Sequence, residues 1–483
     1  MKRIALFLSF VLSLCAIVFA VGCDEKKSRT SYDIAVEIDG KSVVGEQTIE
    51  FFNSSDNVIT ELKFNLFGNA FRKDAKQSPI SAQYISRAYP NGLSYGDMNI
   101  ASVKSGEKEL EYRIGGEDEN VLIVKLNSEV YPEESVVITI GFSLNLANVV
   151  ARTGYNADTI NLANFYPILC ALDENGFYEC VYYSTGDPFY SDCADYKVTI
   201  TADKDYVVAG SGKVVWAAEN GEKASKTFAI KNARSVAFVL SEKFESITDN
   251  STGVQINYYY YDDQTPLKSM EYAVKSMNLF QEKFGAYPYE TYSVVQTKFV
   301  QGGMEFPSLV MIADDLEDMP YGEVIVHETA HQWWQSVVGN NEIEHGFLDE
   351  GLAEYSVVLF YETYSEYGYT REQLIQSSES TYKVFCSVYD KVFGKVDTSM
   401  IRSLKDFSGE YEYVNIAYIK PCIMYDYLRK TIGDQRFFSG LKKYYEKYKF
   451  LNATPYDLAG VFEKIGADSN GFFISFFDGK VII

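Results

Sequence analysis

The sequence predicts an α+β protein whose strands come first and whose helices follow. Three observations carry that expectation. Tyr32, Ile34, Val36 and Ile38 alternate with Asp33, Ala35, Glu37 and Asp39, which is the two-residue period of a half-buried strand. No helical period of useful length occurs before residue 260. From Pro266 onward the apolar residues recur at helical spacing instead. Strands segregated from helices in this way are the mark of α+β architecture.

The elements follow in order. After Gly40 turns the chain, strands are expected at Thr48–Phe52, Leu62–Phe67, Val121–Leu126 and Val136–Leu144. Further strands are expected at Tyr196–Ile200, Tyr206–Val208, Lys213–Trp216, Thr227–Ile230 and Ser235–Leu240, with Gly, Asn and Asp between them. These make an antiparallel β saddle or sandwich over residues 31–247. A second domain over 248–483 opens with a strand at Val254–Tyr260 and a helix at Pro266–Phe284. Strands at Tyr292–Gln296 and Ser308–Ile312 precede a helix at Gly322–Val338, which Pro320 starts, proline being suited to a helix's first turn. Helices are also expected at Phe347–Thr363, Arg371–Val388, Val414–Thr431, Gln435–Tyr448 and Pro455–Ile465.

At 483 residues the chain is long enough for two or three domains, and 47% hydrophobic residues suffice for a large core. The 39 tyrosines and 32 phenylalanines belong mainly to packing. A formal net charge of −23 argues against nucleic-acid partners, which require clustered Lys and Arg.

Residues 1–22 read as a leader. Lys2 and Arg3 precede the apolar run Ile4–Val21, and Cys23 follows Ala20-Val21-Gly22. The pattern resembles a bacterial lipoprotein signal, which implies export, cleavage before Cys23 and lipid on its thiol; a plain signal peptide or a single membrane anchor is the alternative. Residues 23–30 then form a charged tether to the membrane. Cys170, Cys180, Cys193, Cys386 and Cys422 match no zinc-ribbon spacing. One disulfide among the first three, or free buried thiols throughout, both fit.

Three histidines are all the chain has, and two stand in His327-Glu328-Thr329-Ala330-His331. On a helix, residues four apart share a face, so both imidazoles can hold one divalent metal. Glu350 follows on the next expected helix and can complete a three-ligand set with a place left for water. Glu328 is positioned to take a proton from that water. Ligand type suits Zn²⁺, one per chain, though it also admits manganese or cobalt. Four residues beyond Glu350, Glu354 shares its helix face and is a candidate to orient a ligand histidine. His345 reads as a loop residue, and Trp333 and Trp334 as core.

The segment Val326-His327-Glu328-Thr329-Ala330-His331-Gln332-Trp333 resembles the zinc helix of the aminopeptidase N and leukotriene hydrolase family of gluzincin metallopeptidases. Phe347-Leu348-Asp349-Glu350-Gly351-Leu352-Ala353-Glu354-Tyr355 is similar to its third-ligand block. Gly302-Gly303-Met304-Glu305-Phe306-Pro307 resembles its Gly-x-Met-Glu-Asn motif, and Tyr418-Ile419-Lys420 its Tyr-x-Lys block.

The resemblance implies a thermolysin-like catalytic domain and hydrolysis of N-terminal residues from peptides. It assigns His327, His331 and Glu350 to the metal, Glu328 to proton transfer and Tyr418 to the oxyanion, with Tyr413 a competitor. Glu305 would bind the free α-ammonium, in a segment with Gly302, Gly303 and Met304. Phe306 stands where the family has Asn, and Pro421 where it has Gly after Tyr-x-Lys. The family's long C-terminal helical domain has no counterpart, which implies a short form with a more open cleft. No segment matches the family's glutamine-containing stretch, so a second amine-binding group is unassigned. An endopeptidase and a non-catalytic peptide-binding surface lipoprotein remain the alternatives.

Overall fold

The computed structural model describes residues 29–316, 320–466 and 470–481. The leader and Cys23 lie outside the described residues. Strand-forming alternation builds an eight-stranded sheet in the order Lys213–Asn220, Lys223–Ala233, Ala194–Asp203, Ser31–Asp39, Ser42–Phe52, Ser135–Asn145, Asp97–Ser105 and Lys108–Glu109. Its pairings are antiparallel with one exception: Ser31–Asp39 runs parallel to Ala194–Asp203. Ile34, Val36 and Ile38 are buried while Asp33 and Asp39 are exposed, so the two-residue period separates core from solvent as expected. Two four-stranded sheets back it, one of them containing Ile59–Asn65 and Val121–Val130.

A five-stranded sheet opens the second half, in the order Glu245–Asp249, Gln255–Tyr260, Thr291–Thr297, Leu309–Ala313 and Gly303–Met304. The expected boundary after residue 247 therefore falls inside a strand of this sheet. Its central strands are parallel, and Thr291–Thr297 is buried at every position, as both-face coverage of parallel strands requires. Gly303–Met304 is a short antiparallel edge.

Helices Pro266–Lys283, Phe347–Thr363, Asp434–Tyr448 and Pro455–Lys464 lie close to their expected ranges. The helix expected over 322–338 stops at Ala330. Beyond it, the chain turns, and the carbonyls of the turn are held by side chains. Trp334 O accepts from His331 Nδ1 at 2.9 Å, and Gln335 O accepts from Arg234 Nε at 2.7 Å. Gln335 adopts φ +128°, and Val338–Gly339 pairs as a strand with Leu451–Asn452. Arg234 is thus a buried bolt from the β-domain into the turn below the histidines.

The expected helix over 414–431 is also interrupted. Val414–Ile419 winds as a π-helix and Lys420–Ile432 continues as α. Pro421 has no N–H, and its ring would strike the carbonyl of Ala417 in a regular helix. A wider turn relieves that conflict, and this turn carries Tyr418.

Candidate metal centre and cleft

The helix Tyr321–Ala330 and its capping residue His331 put both imidazoles on one face, and the helix Phe347–Thr363 brings Glu350 to meet them. The two Nε2 atoms are 3.1 Å apart, and Glu350 Oε2 is 3.3 Å from His327 Nε2 and 3.2 Å from His331 Nε2. Ligands held at about 2.0–2.1 Å in a tetrahedral site stand about 3.4 Å from one another. The donor triangle therefore fits a zinc-sized ion in donor type and in dimension.

Each imidazole is also held from behind. His331 Nδ1 donates to Trp334 O at 2.9 Å, and His327 Nδ1 lies 3.3 Å from Glu354 Oε2. Donation from Nδ1 leaves the Nε2 lone pairs free for a metal. The early end of the helix thus shapes the site directly, because only a bent chain returns Trp334 O to His331. Trp333 and Trp334 themselves are core.

Glu328 is buried on the same helix, with Oε2 unpartnered. Burial pushes its carboxyl up to about 7, against the pull of His327 and His331, a value suited to proton exchange near neutrality. Burial works to raise Glu350 too, but the His331 charge and both imidazole hydrogen bonds bring it down to about 2.

Gly302 adopts φ +93°, and the next residue begins the Gly303–Met304 edge strand. A Cβ on Gly303 would collide with the Glu328 carboxylate, so the absence of a side chain lets this strand lie directly against it. Met304 is buried in the neighbouring core. Glu305 follows the strand and clusters with Glu328 and His331, with donor atoms within 4.8 Å. Phe306 is buried in the same minor core as Met304, and its carbonyl accepts from Gln332 Nε2 at 3.1 Å. The side chain at this position is spent on packing.

Tyr418 donates to Glu350 Oε1 and stacks on His327, with centroids 5.8 Å apart and planes at 13°. Tyr413 is buried edge-on to it, and its hydroxyl sits where a Cβ on Gly186 or Gly346 would fall. Of the two tyrosines, Tyr418 is the one that reaches the donor set. Pro421 packs against Gly351, beside Glu350.

Sequence reasoning did not find the remaining charged wall. Arg152 and Asp187 of the β-domain pair at 2.6 Å, with the guanidinium 5.0 Å over the Phe189 ring. Asp187 is felt electrostatically at Glu305, Glu328 and Tyr418. Glu342 and Asp349 join Glu305 in a second cluster. Asp349 adjoins the Glu350 ligand in sequence, but no spacing rule links either residue to Glu305. His345 ends a short helix between the two metal helices. The five described cysteines are free and buried, which leaves no disulfide among Cys170, Cys180 and Cys193.

Residues 268–476 match the Peptidase family M1 domain. That match takes in most of the second half of the chain. Aminopeptidase M1-A of Oryza sativa subsp. japonica is 24% identical over 376 residues, covering 72% of this chain and 40% of its own length. Aminopeptidase N of Lactobacillus delbrueckii subsp. lactis is 27% identical over 261 residues, covering 50% of this chain and 30% of its own. The chain therefore spans less than half the length of these curated relatives. The M1 zinc metallopeptidase of Deinococcus radiodurans superposes with a TM-score of 0.68 at 16% identity, covering 95% of this chain and 96% of that one. The same fold is seen in its mutant bound to a Tyr-Ser-Ala substrate, with a TM-score of 0.66 at 16% identity over 94% of this chain and 96% of that one. The M1 match and this two-domain likeness agree with the α+β expectation of a β-domain followed by a helical catalytic domain.

Proposed function

We propose that this M1-family chain is a zinc-dependent aminopeptidase that removes N-terminal residues from peptides. The observation that carries the reading is the donor triangle of His327, His331 and Glu350 with Glu328 and Glu305 on its rim. The M1 relatives named as aminopeptidases support it, as does the Tyr-Ser-Ala held by the similar Deinococcus enzyme.

Zinc, when bound by the three donors, supplies Lewis acidity that lowers the pKa of a water and polarises a carbonyl. The chain's own residues do the rest. Trp334 O and Glu354 fix the imidazole orientations. Glu328 takes a proton from the attacking water as its oxygen bonds to the scissile carbonyl carbon. The same carboxyl returns that proton to the nitrogen as the C–N bond breaks, a role worth about 10²–10⁴ in rate. Tyr418, freed from Glu350, donates to the developing oxyanion. Glu305 receives the substrate's α-ammonium, so that one residue fits ahead of the cut.

Glu328→Gln should keep its zinc and lose about 10²–10⁴ in turnover of aminoacyl anilides. Near-normal rates in a zinc-loaded variant would overturn the mechanism. Cleavage of N-acetylated and free-amine substrates at equal rates would favour an endopeptidase.

The leader supports a second part of the reading, an exported chain anchored by lipid on Cys23. Among the described residues no helix is long and apolar enough to cross a membrane. Labelled fatty acid should enter the wild-type chain and fail to enter Cys23→Ser; equal labelling of both would remove the anchor.

A further inference from the structure

Behind the metal donors, Glu305, Glu342 and Asp349 bring carboxylate oxygens within 4.8 Å of one another. They are 4%, 2% and 2% exposed; none forms an ion pair with a lysine or arginine among the described residues, although the Arg152 charge is felt at Glu305. Glu305 Oε1 and Glu342 Oε1 have no hydrogen-bond partner at all. Asp349 Oδ1 accepts from Asn340 Nδ2 at 3.0 Å. Unpaired carboxylates at this depth are costly unless they take up protons or a positive charge joins them. The three residues come from the segment after an edge strand, a short helix and the second metal helix, so tertiary structure alone creates the cluster.

Two kinds of cation could fill it. A hard divalent ion takes six or more oxygens. Here the nearest amide, Asn340, turns its Nδ2 toward Asp349 and the His345 carbonyl, presenting a donor where such an ion needs an acceptor. A primary ammonium has three N–H groups and needs three acceptors. Acceptors about 2.8 Å from a tetrahedral nitrogen stand about 4.6 Å apart, which the cluster's span allows. Glu305 also belongs to the group with Glu328 and His331, so a charge seated here adjoins the reacting centre.

We propose that Glu342 and Asp349 act with Glu305 as a three-carboxylate socket for the primary ammonium of the substrate. The proposal rests on the aminopeptidase reading and adds two binding residues to it. The test is equilibrium binding of isopentylamine and of isopentanol at pH 7 to the zinc-loaded chain, to Glu342→Gln and to Asp349→Asn. Circular dichroism and zinc content select folded, loaded variants. The wild type should bind the amine and not the alcohol, and each variant should bind the amine at least about tenfold more weakly, as loss of a charge-assisted bond requires.

Wild-type amine affinity in both variants would overturn the socket, as would failure of the wild type to prefer amine over alcohol. Two divalent ions per wild-type chain, with one lost in Glu342→Gln, would overturn it in favour of a second metal. A wild type that binds the amine through these residues but cleaves no aminoacyl anilide would sink the hydrolytic reading and uphold the socket.

Discussion

Two clusters adjoin one another through Glu305 and His331, and they are built on opposite principles. In the metal set every imidazole is braced from behind, His331 by Trp334 O and His327 by Glu354. In the carboxylate set Glu305 and Glu342 each keep an unpartnered oxygen. Bracing fixes a ligand's direction in advance and suits an ion that stays. Open oxygens keep their capacity for a charge that arrives and leaves with each turnover. Glu328 stands between them, facing His331 and Glu305.

The comparison can be broken most severely at the metal set. His331→Ala removes one of three donors and should abolish both zinc binding and turnover. Elemental analysis showing a full complement of zinc in that variant would refute the donor assignment. Tyr418→Phe should retain zinc and cost about 10²–10³ in kcat, with KM little changed. A loss confined to KM would move Tyr418 from oxyanion stabilisation to substrate binding.

Bracing itself is tested by Glu354→Ala, expected to weaken zinc affinity about 10–100-fold while leaving the fold intact. Chelator competition measures it, and unchanged affinity would mean that the His327 orientation is set by packing alone. The smallest effect concerns Lys420, two residues beyond Tyr418. Its Nζ is buried, donating to Phe476 O at 2.9 Å and to Thr398 O.

Burial lowers the Lys420 ammonium to about 7 in the fold, below its ordinary unfolded value. Between these two values the unfolded chain binds the extra proton, so this group makes stability rise with pH above about 7. Below 7 both states are charged and the burial penalty is fully present. Lys420→Met should flatten the alkaline rise in Tm; an unaltered Tm profile would show that the two carbonyls hold the charge in place.

Much of this was legible from spacing. His327 and His331 are four apart on a helix, and that local geometry needs no tertiary information. The Tyr32–Ile38 alternation likewise declares its buried face. Tyr418 was harder to separate from Tyr413, since the two are the same residue type five positions apart; the fold decides which hydroxyl bonds to Glu350. The over-long helix beyond Ala330 was a failure of the same kind. Val337 and Val338 continue an apolar pattern, but the chain turns after Ala330, and Arg234, about a hundred residues earlier in the chain, holds that turn through Gln335 O.

Local periodicity and short motifs by themselves determined the strand-then-helix order, the two imidazoles and the acids of their motifs, because each is written within one short segment of chain. Only the folded chain could decide that Glu342 and Asp349 meet Glu305, that the Asp187 charge reaches Glu305 and Glu328, and that Trp334 returns to brace His331. Those contacts join segments with no shared period, and burial makes their charges matter.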